Sequence, residues 1–247
     1  MENKILTKMH YSEYVDLFKY DEGISCHPYI DACNASIIYR LLEAIGLDGN
    51  PKKVLDAGAG SGQVVRLLQG IPFLQIDACD IDTEAKRFFK DNPETANVPY
   101  YDWDIVNDTF DKYYDAIIIR GVYHHISKSD RAKMLENLCR QAKIVINADE
   151  GILEYDTPEQ RLQHCDVWYG YVIGEAKRRK LSGLAEMEIE YLGHEKLNTA
   201  DDGGDYKESP AELIKDAEQV SLKVPILDRL GNWEKHKGGF YTSVIHE

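Results

Sequence analysis

The chain has 247 residues, 43% of them hydrophobic, and a formal net charge of −14. This length accommodates one sizeable domain, and without a long apolar run we expect no membrane-spanning segment. Because nucleic-acid binding requires Lys and Arg to neutralise phosphates, so negative a chain is expected to have no nucleic-acid partner.

The cysteine pattern favours a reducing compartment. Five cysteines are scattered along the chain without a C-x-x-C pair, which disfavours both a disulfide framework and a zinc site. The N-terminus lacks the charged-then-apolar layout of a secretory signal. We expect a cytoplasmic monomer or homodimer that binds no metal.

The first predicted elements are helical. Residues 1–28 are rich in tyrosine and mixed charge, and we interpret them as a short helical lid segment. From Tyr29 to Ile45, apolar residues recur at steps of three and four, which predicts an amphipathic helix that ends at Gly46.

The next hundred residues alternate between short apolar runs and amphipathic stretches. Strands are predicted at 54–55, 73–79, 98–101, 115–119 and 143–147, and helices at 64–68, 83–90 and 129–142. Alternation with short connections predicts a doubly wound α/β fold, a parallel sheet covered by helices on both faces. We assign residues 29–150 to this cofactor-binding half.

The remaining sequence breaks the alternation. Residues 151–218 contain helices predicted near 158–180 and 210–218, and we interpret them as an inserted helical lid over the substrate. Residues 219–247 carry two strand-like runs, which predict an antiparallel pair that closes the single domain.

The stretch VLDAGAGSGQ, Val54 to Gln63, places three glycines on alternate positions directly after an apolar run. Such a turn lets backbone N–H groups approach a ligand closely. A nicotinamide-binding loop has the order G-x-G-x-x-G, whereas position 63 is glutamine. Asp56 also places a negative charge where a diphosphate would lie. NAD is therefore disfavoured, although a nicotinamide-dependent oxidoreductase stays an alternative.

Two further acids follow the next strands. Asp80 closes the second predicted strand, where it could accept both ribose hydroxyls, and Asp104 follows the third, where it could accept from an adenine amine. Ile81 and Ile105 stand beside them and could enclose the purine. Acids after three strands suit a cofactor with an adenosine, a cationic centre and an amine but no phosphate, such as S-adenosylmethionine. Singly, each acid could instead be a helix cap or a turn residue.

In order and spacing, VLDAGAGSGQ, CDID, WDIV and YYDAIIIRGVYHHI resemble the motifs of the class I S-adenosylmethionine-dependent methyltransferases, over about residues 30–150. The resemblance implies a seven-stranded, mostly parallel sheet with its last strand antiparallel. It also implies that the glycine loop holds the methionine end of S-adenosylmethionine and that the two acids hold the adenosine. The implied cofactor-binding residues are Asp56, Ala57, Gly58, Gly60, Gly62, Asp80, Ile81, Asp104, Ile105 and the backbone of Arg120.

Candidate catalytic residues follow the fourth and fifth strands. If the methyl acceptor carries a proton, a base must remove it, and neutral imidazole suits this role near pH 7. We interpret His124 as the base and His125 as its possible substitute. Asp149, on the neighbouring strand, could orient the ring. Alternatively, the two histidines cap the following helix or pack beneath it.

The acceptor pocket is expected to lie between the N-terminal segment and the insertion. Tyr20, Trp168 and Tyr171 are the candidate substrate-binding residues, because aromatic side chains bury a large area and keep a polar tip. Lid-to-core packing is the alternative role for such aromatics. The side chain of Arg120 could bind a substrate carboxylate or phosphate, or form a salt bridge with Asp115 or an acid of strand five.

The sequence therefore predicts methyl transfer from S-adenosylmethionine to an oxygen or nitrogen of a small-molecule metabolite. Two alternatives stay open besides a nicotinamide-dependent oxidoreductase. One is a non-catalytic module that binds the cofactor as a sensor or partner subunit. The other is the same fold with a different cofactor-dependent chemistry.

Overall fold

A seven-stranded sheet forms the centre of the computed structural model, which describes residues 17–200 and 205–247. The strand order is β3-β2-β1-β4-β5-β7-β6, and β7 runs antiparallel to both of its neighbours. The predicted fold class is confirmed, including the closing antiparallel pair. The strands are β1 (Lys52–Ala57), β2 (Leu74–Cys79), β3 (Tyr100–Tyr101), β4 (Ala116–Arg120), β5 (Val145–Ile152), β6 (Lys223–Leu230) and β7 (Gly238–His246).

Helices cover both faces because the central strands are apolar on both sides. In β4 the residues Ala116 to Ile119 are fully buried, and only Arg120 at its end reaches solvent. One face packs on α2 and α3, and the other on α5 and α8. The helices are α1 (Leu17–Ser25), α2 (Ile30–Ile45), α3 (Gln63–Leu68), α4 (Thr83–Asp91), α5 (Lys128–Cys139), α6 (Pro158–Arg178), α7 (Ser182–Leu197), α8 (Pro210–Gln219) and α9 (Trp233–His236).

Helices α6 and α7 form a hairpin, and α1 packs against α7. The hairpin has its own apolar core around Trp168, Tyr169 and Leu184. Helix α8 differs from this pair, because Leu213 and Ala217 pack into the sheet-covering core with α5. None of the helices in the described ranges has the length and apolar content needed to span a membrane.

Helix α7 was not predicted as a separate element. Its sequence, SGLAEMEIEYLGHEKL, lacks an apolar stripe because two acids, Glu188 and Glu195, lie on its buried side. Strand β6 begins at Lys223, because the residues before it, 220–222, complete the turn after α8. Of the N-terminal tyrosines, Tyr11 and Tyr14 lie outside the described residues.

Buried ion pairs account for the acids of α7. Nε2 of His27 lies 2.8 Å from Oε1 of Glu150 on β5 and 3.5 Å from Oε1 of Glu188. Nδ1 of His27 is 3.0 Å from the Pro28 carbonyl oxygen, so both ring nitrogens face acceptors. Burial alone would lower the pKa of His27, but Glu150 and Glu188 outweigh it and raise the pKa to about 10. The imidazolium therefore ties α7 to the sheet.

Replacing His27 with Gln is expected to lower the free energy of unfolding by about 3–5 kcal/mol at pH 6.5, because two buried carboxyls lose their shared cation. The contribution of His27 is complete below its unfolded pKa of 6.5 and disappears as the pH rises through about 10. In urea unfolding, the difference in the free energy of unfolding between wild type and His27→Gln should therefore narrow between pH 6.5 and 9.5.

The control for this substitution is His246→Gln, at the end of β7, which should unfold like wild type. A gap for His27→Gln that stays constant or widens as the pH rises would show that the buried ring is not an imidazolium.

Candidate active site

The three glycines of the loop after β1 all have positive φ, at 74°, 48° and 80° for Gly58, Gly60 and Gly62. A Cβ on Gly58 would lie 2.5 Å from Cγ2 of Val122, and one on Gly62 would lie 2.9 Å from the Phe89 ring. A Cβ on Gly60 would meet nothing within 4 Å. Two of the glycines thus make room for the protein's own side chains, and only Gly60 faces open space.

Asp80, at the end of β2, lies against this loop. Its Oδ2 accepts the N–H of Gly60 at 2.9 Å and its Oδ1 accepts the N–H of Asp82 at 3.0 Å. Burial raises the pKa of Asp80, whereas these backbone donors favour its ionised form. Ile81 beside it is 43% exposed. The acid and the apolar side chain therefore stand next to the open side of the loop.

Asp104 shapes the turn after β3. Its carboxylate accepts the N–H of Val106 at 2.9 Å and Nδ2 of Asn107 at 2.7 Å, as a turn residue does. Ile105 is buried and packs into the main core. Ala57, at the end of β1, is also fully buried there, so it can offer a ligand only its backbone.

Asp56 carries a buried acceptor without a partner. The residue is 1% exposed, and its Oδ2 has no hydrogen bond within the described part of the chain. Burial raises the pKa of Asp56 to about 7, although the charge of Arg120 opposes this shift. A buried carboxyl oxygen left unbonded is costly, so this position fits a ligand that donates a hydrogen bond.

Helix α1 closes over the loop through Asp21. Oδ1 of Asp21 accepts from Oγ of Ser61 at 2.6 Å, from Nε2 of Gln63 at 3.0 Å and from the guanidinium of Arg66. The sequence identified Gln63 only as a departure from the nicotinamide pattern. In the structure, its Oε1 also accepts from the guanidinium of Arg120, so it bridges α1 and the end of β4.

The guanidinium of Arg120 forms its hydrogen bonds with neutral side chains. Its guanidinium donates to Oδ1 of Asn34 at 3.0 Å and to Oε1 of Gln63, and no carboxylate within the described ranges pairs with it. The salt bridge considered for Arg120 with Asp115 is wrong, because Asp115 pairs with Lys143. A positive charge is therefore available at the end of β4.

His124 and Asp149 are brought together as expected. A one-turn 3-10 helix, Tyr123–His125, follows β4 and places Nδ1 of His124 2.6 Å from Oδ1 of Asp149. Oδ2 of Asp149 accepts the backbone N–H of His124 at 3.1 Å. The carboxylate, fully buried, thereby fixes the ring with Nε2 turned to Asp205, whose Oδ1 is 3.6 Å away.

The two neighbouring histidines have opposite electrostatic environments. Burial would lower the pKa of His124, but Asp149 and Asp205 outweigh both burial and Lys207 and raise it to about 9. Burial and the charge of His124 lower the pKa of His125 to about 3, against the opposing effect of the two acids. At neutral pH, His124 is therefore the charged member of the pair and His125 the neutral one.

One group in the described ranges has the geometry of a metal site. The ligand atoms of His124, His125 and Asp205 lie within 4.8 Å of one another. However, Nζ of the buried Lys207 lies 3.9 Å from the same Oδ1 of Asp205. Repulsion between this ammonium and a divalent ion disfavours metal binding. The expected absence of a metal stays a prediction.

A cavity lies between α1, α7 and the ends of β4 and β5. Tyr20, Arg120, Gly121, His124 and Glu150 are among its lining residues.

The two other predicted pocket aromatics do not line this cavity. Trp168 is fully buried against Gly238, where a Cβ would lie 2.9 Å from the indole Cγ. Tyr171 stacks on His236 with ring centroids 3.7 Å apart and also faces Tyr29.

Sequence reasoning missed four charged residues on the cavity wall. Glu150 directly follows Asp149, just after the strand predicted at 143–147, so its position was a readable signal. Glu188, Asp205 and Lys207 lie in the stretch without a recognisable pattern, and only the folded chain brings them to the site.

Residues 54–143 match the family model of a methyltransferase domain. This match and the sheet order support a class I S-adenosylmethionine-dependent methyltransferase. They favour a methyltransferase over a nicotinamide-dependent oxidoreductase and over a non-catalytic module. A comparison of this sequence with curated proteins found no match.

Solved structures share the fold of the methyltransferase. The complex of DhpI with S-adenosylhomocysteine (SAH) aligns at 16% identity and a TM-score of 0.58, over 93% of this chain and 90% of that chain. The methyltransferase domain of bacterial CtHen1 aligns at 15% identity and a TM-score of 0.56, over 88% of this chain and 99% of that one. A putative methyltransferase from Bacillus halodurans aligns at 15% identity and a TM-score of 0.52, over 85% of this chain and 96% of that one. At these identities the likeness shows the fold alone.

S-adenosylmethionine is the cofactor of the methyltransferase, and the residues present fit it. The unpartnered Oδ2 of Asp56 suits an ammonium donor, and Arg120 suits a carboxylate. The open space beyond Gly60 allows close approach to the backbone. A negative charge on Asp56 would repel the diphosphate of a dinucleotide, so the glycine loop fits NAD poorly.

The histidine environments can be checked directly. In two-dimensional imidazole spectra recorded from pH 5 to 10, the His124 ring of the methyltransferase is expected to titrate with a midpoint near 9, whereas His125 should stay neutral throughout. Asp149→Asn should lower the His124 midpoint, because the carboxylate that favours the charged ring is removed.

His124→Gln and His125→Gln assign the signals in these spectra. A His124 midpoint at or below 6.5 in the wild-type protein would contradict the assigned ion pair.

Proposed function

We propose that this enzyme transfers a methyl group from S-adenosylmethionine to an oxygen or nitrogen of a small molecule. The acceptor would lie in the cavity between α1, α7 and the ends of β4 and β5. The observation that carries the proposal is the His124–Asp149 pair, joined at 2.6 Å, on the wall of a cavity that also contains Arg120 and Gly121.

The sheet order supports one direction for the cofactor. The loop of β1 stands between β2 and β3 on one side and β4 on the other. If Asp80 and Asp104 take the adenosine, the methionine end extends over Gly60 toward β4. Asp56 would then hold the amine and Arg120 the carboxylate. Each carboxylate oxygen has two lone pairs, so Asp80 can accept ribose hydroxyls besides its backbone donors.

When bound, the cofactor supplies an electrophilic methyl group on a sulfonium for in-line displacement. The chain contributes alignment and a base. At neutral pH most of the enzyme carries His124 as an imidazolium, so the active fraction is the one in which Nε2 has lost its proton, and this fraction rises as the pH approaches about 9. In that fraction Asp149 keeps the remaining proton on Nδ1, which leaves Nε2 as the basic nitrogen. The acceptor atom forms its bond to the methyl carbon as the carbon–sulfur bond breaks, and its proton passes to Nε2 of His124.

Replacing His124 with Gln should reduce methyl transfer at least about tenfold, because general-base catalysis contributes on the order of 10²–10⁴-fold. The affinity for S-adenosylhomocysteine should stay unchanged, since His124 lies beyond the cofactor residues. Tritium transfer from labelled S-adenosylmethionine into a metabolite pool measures the first quantity, and calorimetry measures the second.

His125→Gln is the matched comparison and should retain most of the activity. Unchanged transfer by His124→Gln together with loss in His125→Gln would move the role of base to the second histidine.

Replacing Arg120 with Gln should weaken S-adenosylhomocysteine binding by about 10–100-fold, the usual effect of losing a hydrogen bond to a charged group. Methylthioadenosine has neither the carboxylate nor the amine, so its affinity should not change. Calorimetry on both ligands gives the comparison.

Arg140→Gln, at the exposed residue that directly follows α5, serves as the control for Arg120→Gln. Equal losses for the two ligands would contradict the placement of the cofactor carboxylate at Arg120.

A further inference from the structure

Helix α7 contributes to the cavity wall a carboxyl whose hydrogen bonding is incomplete. Glu188 is 2% exposed and lines the cavity. Its Oε1 lies 3.5 Å from Nε2 of His27, and its Oε2 has no hydrogen-bond partner among the described residues. A buried carboxyl oxygen without a donor is costly, so this one has the properties of a ligand contact.

The cations nearest to Glu188 are bound more closely by other groups. His27 lies nearer to Glu150, at 2.8 Å, than to Glu188. Lys207 lies 2.6 Å from the Tyr169 hydroxyl and 3.1 Å from Oε2 of Glu150. Burial raises the pKa of Glu188, although His27 opposes the shift, as expected for an acid without enough positive charge around it.

Two further cations stand on the cavity wall, Arg120 and the His124 ring. Arg120 is bonded to Asn34 and Gln63 beside the glycine loop, and in the proposed function it meets the cofactor carboxylate. His124 is held by Asp149, so neither cation neutralises Glu188. Glu188 is then the carboxyl on that side with the weakest pairing, because Asp205 faces Nε2 of His124 at 3.6 Å, Nδ1 of His194 at 3.5 Å and Nζ of Lys207 at 3.9 Å.

The rest of the wall is apolar and aromatic. Tyr20, Met187, Tyr191 and Phe240 line the same cavity as Glu188. Aromatic rings attract cations through their faces, and an apolar wall suits a hydrocarbon body. The net charge of −14 further favours the approach of a cation over that of an anion.

We propose that the methyl acceptor is a small, partly apolar amine whose ammonium group binds Oε2 of Glu188. One proton then passes from the ammonium to the neutral Nε2 of His124, and the freed lone pair attacks the methyl carbon as the carbon–sulfur bond breaks. This inference rests on the proposed function and narrows its substrate class. An acidic acceptor would add a second negative charge beside Glu188, which already lacks a closely bound cation, and is disfavoured there. A neutral alcohol would leave Oε2 of Glu188 without a positively charged partner.

The test uses the full chain, S-adenosylmethionine with a trideuterated methyl group, and a pool in which each amine is accompanied by its neutral and its acidic analogue. Products are resolved by cation-exchange chromatography and recognised by their mass shift. We expect label in amine-bearing products alone, because a methylated amine keeps its basic nitrogen. Glu188→Gln should lower the labelling about tenfold or more, through a higher KM.

Glu190→Gln, at an exposed position of the same helix, is the matched control and should label like wild type. Glu188→Asp keeps the charge and should retain more activity than Glu188→Gln. Calorimetry with S-adenosylhomocysteine shows that each variant is folded and binds the cofactor.

The outcomes separate the two proposals. Label in neutral or acidic products, or full activity of Glu188→Gln, would overturn the amine assignment and leave the proposed methyl transfer standing. Label in no product, with cofactor binding intact, would contradict the proposed methyl transfer and the amine assignment together.

Discussion

Strand β5 holds the site together just beyond the end of β4, through two adjacent acids with different tasks. Successive side chains of a strand point to opposite faces, so Asp149 and Glu150 reach different partners. Asp149 fixes the ring of His124 in the 3-10 turn after β4, while Glu150 binds His27 and Lys207. A small shift of this part of β5 would therefore disturb both His124 and the attachment of the lid helices.

The ion pairs under the lid explain why charged residues occupy the buried side of α7. A buried carboxyl is costly unless a cation accompanies it, and removal of one partner leaves the other uncompensated. Glu195 pairs with Arg161 of α6, and its Oε1 accepts the backbone N–H of Lys207 at 2.9 Å. These contacts give the α6–α7 hairpin one defined position over the strand ends, which apolar packing alone would specify less closely.

The glycine loop meets two physical demands at once. Gly58 and Gly62 have positive φ and face Val122 and Phe89, so internal packing already excludes a side chain at either position. Gly60 faces open space beside Asp80 and is the position where the backbone is accessible to a ligand. The three glycines therefore do not all report on the cofactor. The same loop is covered from α1 by Asp21, which links the loop to this helix.

The amino-acid order alone predicts the alternating strands and helices, the glycine loop and the acids that follow successive strands, because these features arise from short-range patterns of burial and turn formation. It also indicates that His124 and Asp149 meet, since each follows one of two neighbouring predicted strands. The folded chain was needed to find the partners of Arg120, the existence of α7 and the arrival of Glu188 and Lys207 at the cavity. Those positions depend on ion pairs between residues far apart in the chain, and a local pattern carries no record of such pairs.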